Sequence, residues 1–300
     1  MKLFIIGNGF DLAHGYKTSY GHFREYLSKE GTMAGSFYIP DIFNDANEDD
    51  WSNFEQLLED YDFVDWGSSY TSDIYVEDDR EQDRNMSYNN RLNDSFHEIA
   101  YSLPSIIKNK LCSFIEAATS QKSKKIESVE KLIKPRDLFV TFNYSFTLED
   151  VYKVQKTQIL HVHKTIYSED EIIFGHGNQY LKSNPNTPEF DLFNPAGQLC
   201  NLNSEFKKNY QIASLIDFLK GKQVTQIIII GHGLGDIDAR YFQKINSLFP
   251  YLSLITYYFH YDKSLKNPYN QLISKEKQIQ EKQEKLSLLF PNQKIRVIEW

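Results

Sequence analysis

The apolar positions of this chain follow two rhythms. Short, nearly continuous apolar runs of strand length alternate with stretches whose apolar residues recur every three or four positions. The first run, Lys2-Leu3-Phe4-Ile5-Ile6, passes straight into Gly7-Asn8-Gly9-Phe10-Asp11. Further runs over 137–141, 158–163, 171–175, 225–230, 252–259 and 295–298 read as strands. Helical spacing covers 19–29, 145–155, 204–220, 237–247 and 263–290. The alternation predicts an α/β, Rossmann-like fold: one domain over 1–300, with a mainly parallel sheet and helices on both its faces.

Residues 36–130 break that rhythm and read as a helical insertion. Trp51, Phe54, Leu57, Leu58 and Tyr61 lie on one helical face, and Leu92, Phe96, Ile99 and Leu103 repeat the spacing up to Pro104. A new helix is expected after that proline, over 105–119. The acidic runs Asp41–Asp50 and Glu77–Asp83 read as solvated loops. A proline- and asparagine-punctuated loop occupies 183–203.

Composition narrows the class. A hydrophobic fraction of 41% with 15% aromatics describes a folded chain with an aromatic-rich core. The net charge of -8 argues against broad nucleic-acid or anionic-membrane binding, yet leaves room for a nucleotide held by backbone N–H groups. Cys112 and Cys200 form no CxxC pair, so no structural zinc is expected, and a reducing cytoplasm suits the chain. No signal peptide is expected, because the first strand leads directly into a glycine turn. Ile227–Ile230 is a buried strand and not a membrane span.

Four polar clusters fall at strand ends, where an open α/β sheet places its ligands. They are Gly7–Gly15, Thr141-Phe142-Asn143-Tyr144, His161-Val162-His163, and Gly231-His232-Gly233-Leu234-Gly235-Asp236. Gly-x-Gly after a first strand suits a phosphate-binding turn, although Leu12 stands where a dinucleotide fingerprint has its third glycine. Each cluster also has a plainer reading. The glycines can serve a tight turn, Asn143 a helix cap, the histidines a satisfied strand, and Asp236 and Asp238 a helix start.

Together these motifs resemble the bacteriophage abortive-infection AbiH family. The residues that carry the resemblance are Gly7 to Tyr20, Phe142 to Glu149, the His-x-His strand and Gly231 to Asp238. More distantly they resemble the sirtuin-like NAD-binding fold. That resemblance aligns Gly7, Gly9 and Gly15 with the dinucleotide loop, Asn143 and His163 with the reaction centre, and Gly231 and Leu234 with the ribose-contacting turn. Lys164 and Gly233 depart from it, since a Gly and a Ser are usual there. No sirtuin zinc module is present, which disfavours deacylation.

The resemblance implies a cytoplasmic antiphage effector with NAD as substrate and no metal, gated by a homo-oligomer or a phage-derived trigger. Nicotinamide leaves the ribose neutral, so the site must hold the pyrophosphate, place a water and stabilise an oxocarbenium-like sugar. Asn143 suits the water and His163 the proton; on an extended strand His161 would share its face. Asn8, Phe10, Asp11, Thr18, Ser19, His161, His232, Gly233 and Asp236 complete the expected cofactor surface. Two rivals stand beside this reading. One is a metal-dependent hydrolase built on His161 and His163 with His176, His232 or Asp236; the other is a non-catalytic nucleotide-binding sensor or interaction module of a defence system. An α/β-hydrolase fails, because Gly233 fills the nucleophile position.

Overall fold

The computed structural model describes residues 1–30, 54–69, 82–168, 171–177, 199, 202–260 and 271–299. The acidic run Asp41–Asp50, most of Glu77–Asp83, Trp51, Cys200 and nearly all of the loop 183–203 lie outside them. Two compact units divide the chain. One takes in 1–19, 115–173 and 210–300, and the other takes in 20–114 and 174–209.

The first unit holds a six-stranded sheet. Its strands are β1 (Lys2–Ile6), β2 (Leu138–Thr141), β3 (Ile159–His161), β4 (Gln226–Ile230), β5 (Leu254–Phe259) and β6 (Lys294–Glu299). All pair in parallel, in the order β3-β2-β1-β4-β5-β6. This is the doubly wound, Rossmann-like order, with its switch point between β1 and β4.

Side chains alternate across each strand, so every apolar run feeds two cores. Leu3, Ile5, Val140, Ile227 and Ile229 pack with residues of the helices Ile212–Leu219, Ala239–Leu248 and Lys275–Leu289. Phe4, Ile6, Phe139, Ile228 and Ile230 pack with the short helices Asn8–Ala13, Glu127–Leu132 and Thr147–Tyr152. Burial on both faces is why the strands read as continuous and not alternating apolar runs.

The second unit is helical: Tyr20–Glu30, Phe54–Asp60, Phe63–Ser69, most of Gln82–Ala118, and Leu202–Glu205. Its core is aromatic, with Phe54 stacked on Phe174 and Phe63 on Phe206. In chain order the helices are α1 (Asn8–Ala13), α2 (Tyr20–Glu30), α3 (Phe54–Asp60), α4 (Phe63–Ser69), α5 (Gln82–Ala118), α6 (Glu127–Leu132), α7 (Thr147–Tyr152), α8 (Leu202–Glu205), α9 (Ile212–Leu219), α10 (Ala239–Leu248) and α11 (Lys275–Leu289). Among the described residues, no helix is long and apolar enough to cross a membrane.

Several expected boundaries move. Pro104 does not end a helix, because α5 runs through it. A mid-helix proline costs about 3 kcal/mol, but Phe96, Ile99, Leu103, Ile107 and Leu111 form one unbroken buried stripe across it. The expected strand 171–175 joins no ladder among the described residues, and the next residue, His176, forms an isolated bridge to Lys207. That bridge also splits the helix expected over 204–220 into α8 and α9, since the Lys208 N–H donates to the His176 carbonyl. The glycine turn after β1 is itself a short helix, α1.

A buried ion pair ties the second unit together. The Lys208 ammonium meets Glu55 at 2.8 Å, with side-chain exposures of 0% and 11%. The Gly175 N–H donates to the other oxygen of the same carboxylate. Lys208→Met should therefore strand a buried charge and cost about 3–5 kcal/mol, seen as a lower urea midpoint for this unit. A loss within the range of a surface pair, under about 1 kcal/mol, would show that water replaces the partner.

Candidate functional site

The site begins with a contact between two strand-end turns. The Gly7 N–H donates to the Ile230 carbonyl at 3.0 Å, and the Gly9 N–H to the Gly231 carbonyl at 2.7 Å. Gly231 lies in the left-handed region at φ +66, and a Cβ on it would come within 2.3 Å of the Phe10 nitrogen. Only glycine permits this approach. The N–H groups of Gly7, Gly9 and Phe10 are thus all spent inside the fold. In this geometry the glycines serve backbone packing at the switch point.

That contact presents the Gly7 carbonyl to Asn143. The Asn143 Nδ2 donates to it at 3.1 Å, which fixes the amide orientation because a carbonyl only accepts. The Asn143 Oδ1 is buried and has no hydrogen-bond partner. Asn143 does not cap α7; that position falls to Phe146. Beneath it, the buried Asp11 carboxylate accepts from the Ser145 hydroxyl at 2.5 Å and the Thr147 hydroxyl at 2.6 Å. Burial pushes the Asp11 carboxyl above 3.8, while Ser145, Thr147 and Asn143 pull it back. Asp11 thereby locks α1 to the turn that carries Asn143.

The two histidines of His-x-His do not share a face. β3 stops at His161, and the Lys164 N–H closes a turn onto the His161 carbonyl at 3.3 Å. Lys164 adopts φ 64, a backbone region that favours glycine. His161 Nδ1 lies 3.2 Å from the Asn143 carbonyl, and its Nε2 lies 3.0 Å from Glu149. Both ring nitrogens are engaged, and His161 holds the backbone of Asn143.

His163 turns elsewhere. Its Nδ1–H donates to the Phe142 carbonyl at 3.2 Å. Its Nε2 is buried, without a hydrogen bond, and 3.4 Å from Asp238 Oδ1. From the end of β4, His232 Nε2 approaches the other oxygen of Asp238, also at 3.4 Å. Burial pushes His232 below 6.5, and Asp238 opposes the shift. The Lys282 ammonium, held down to about 8 chiefly by burial, donates to the Gly233 carbonyl at 2.9 Å.

The remaining expected residues scatter. The Phe10 and Leu234 side chains are core. The Thr18 hydroxyl donates to Asn8 Oδ1 at 2.7 Å. Gly15, Gly233 and Asp236 are exposed, and Ser19 is half-buried. The acid that meets the histidines is Asp238, which sequence reasoning took for a helix-start residue; only its two-residue spacing from Asp236 hinted at a choice. Glu149 lay within the motif Phe142 to Glu149 but was given no role; its contact with His161 appears only in the fold.

Proton bookkeeping weakens the metal reading. The Leu234 N–H donates to His232 Nδ1 at 2.9 Å, so the neutral ring carries its proton on Nε2 and cannot also ligate through it. Among the described residues, no group of three or more His, Cys, Asp or Glu is arranged to hold a metal ion.

The sheet order and the strand-end cluster define an α/β protein of Rossmann-like architecture with its polar site at the carboxyl ends of β1 to β4. Comparison with protein families narrows this. The model of the family "Bacteriophage abortive infection AbiH" matches residues 3–260, and the chain belongs to that family. Membership indicates a role in abortive-infection defence against phage. A search of curated proteins found no match.

The site and its support predict an acid-sensitive fold. The Tyr152 hydroxyl donates to His14 Nε2 at 2.8 Å while His14 Nδ1–H donates to the Phe10 carbonyl at 2.6 Å. Burial holds both His14 and His232 below their ordinary 6.5. The unfolded chain therefore binds protons first as pH falls. The stabilisation these rings give is complete above 6.5 and drains away as pH falls from there to their folded values. Urea midpoints measured against pH should drop across that window, and less steeply in His14→Gln. Equal slopes in both proteins would show that His14 does not contribute.

Proposed function

We propose that the protein is a sirtuin-like NAD glycohydrolase, an effector that depletes NAD in the host cytoplasm once infection is sensed. One observation supports this most: Asn143 Oδ1 and His163 Nε2 are buried acceptors without hydrogen-bond partners. They lie at neighbouring strand ends, β2 and β3. An unmet buried acceptor costs about 1–3 kcal/mol, so a pair of them is a feature that a donor from outside the chain would relieve. A water molecule or a ribose hydroxyl is such a donor.

In this reading Asn143 orients the water and His163 receives its proton. The water oxygen bonds to the anomeric carbon, and the bond to nicotinamide breaks with its electron pair leaving on the ring nitrogen. One proton passes to His163 Nε2, which balances the step. His161, committed to Glu149 and to the Asn143 carbonyl, is a positioning residue. Lys164, at φ 64, adopts a backbone conformation that favours glycine, the residue usual at this position in the resembling fold. A constitutively active enzyme would kill its own cell, so oligomerisation or a phage-derived trigger gates it.

The test is purified protein incubated with NAD, with and without phage lysate, reading free nicotinamide. Asn143→Ala and His163→Ala should each lower release about 10²–10⁴-fold. Release that persists in both variants would remove the assignment. Saturable NAD binding with no release under any condition would favour a non-catalytic sensor.

A further inference from the structure

We propose that Asp238 is a positioning residue for His163: its Oδ1 holds the proton that His163 Nε2 takes up, while His232 aims it from the other side. The inference rests on the reading of His163 as the proton acceptor.

Three observations carry it. Asp238 is the cap residue of α10, yet its side chain makes no capping hydrogen bond. Its carboxylate instead lies 3.4 Å from two imidazole nitrogens, one on each oxygen, with a side-chain exposure of 15%. The proton inventory then follows from the other ring atoms. His232 Nδ1 accepts from the Leu234 N–H, so the neutral ring carries its proton on Nε2, which lies 3.4 Å from Asp238 Oδ2. His163 Nδ1 donates to the Phe142 carbonyl, so its Nε2 is bare in the neutral ring and faces Asp238 Oδ1.

A bare nitrogen opposite a carboxylate oxygen is unfavourable until one proton enters between them. Once His163 is protonated, a charge-assisted hydrogen bond forms there. The carboxylate thus holds a proton taken up on Nε2 without competing for Nδ1. The other groups facing His163 are the Tyr144 and Tyr241 rings and the Phe142 ring. The Tyr144 hydroxyl donates to the Ile173 carbonyl, and the Tyr241 hydroxyl accepts from the Gln211 N–H. Burial chiefly, with smaller contributions from His163 and Lys282, opposes protonation of His232.

The test is imidazole ¹⁵N NMR on the full chain across pH, beside the nicotinamide assay. In wild type, neutral His232 should carry its proton on Nε2 and neutral His163 on Nδ1; the reverse tautomer on either ring overturns the proposal. Asp238→Asn should move the His163 midpoint down by about one pH unit or more, and Asp238→Glu should restore most of it. An unmoved midpoint in Asp238→Asn overturns the proposal, whether or not NAD is cleaved. If wild type releases nicotinamide, Asp238→Asn should lower kcat and shift the acid limb of the pH profile, with KM kept. A midpoint that moves in a protein that never releases nicotinamide would uphold the coupling and sink the NAD reading alone.

Discussion

The site depends on one backbone contact. The turn after β1 and the turn after β4 meet with no side chain between them, joined by the Gly9 to Gly231 hydrogen bond of 2.7 Å. A Cβ at Gly7, Gly9 or Gly231 would fall within 3 Å of the opposing turn. Because the turns touch, the Gly7 carbonyl is presented to the Asn143 Nδ2. Asp11, one turn further on, then reaches the hydroxyls of Ser145 and Thr147. The glycines form the hinge pin that aligns four strand ends.

Around that pin the buried polar groups fall into two kinds. Some are saturated: Asp11 by hydroxyls, His14 by Tyr152 and the Phe10 carbonyl, His161 by Glu149 and the Asn143 carbonyl. These set position. Others are left wanting: Asn143 Oδ1, His163 Nε2 and Glu149 Oε2. Most buried polar atoms in folded proteins find partners, so the unmet ones mark where chemistry is to be sought. Asn143 and His163 are the residues that the sirtuin-like resemblance would align with a reaction centre; Gln293 Oε1, before β6, is unmet as well.

Much of this was legible beforehand. The strand runs predicted a parallel α/β sheet because burial on both faces forces continuous apolar strands. Asn143 and His163 stood out because they follow such runs directly. What misled was local logic applied to tertiary places. Pro104 reads as a stop, yet α5 continues because its buried stripe outweighs one lost hydrogen bond. His161 and His163 read as neighbours on one strand face, yet the strand ends between them and they serve different partners. Asp238 reads as a helix start, and only packing reveals the two imidazoles beside it.

The sequence by itself determined the class of fold, the family and the strand ends where polar residues gather, since periodicity and motif order are local properties of a chain. The tertiary structure alone decided which of those residues face each other. Asp238 and His163 are far apart along the chain, and Asn143 and Gly7 farther still. Their meeting follows from the parallel order β3-β2-β1-β4, which carries four distant turns to one edge of the sheet. So does the division of labour between the two histidines, because a hydrogen-bond partner, unlike a residue type, exists only once the chain has folded.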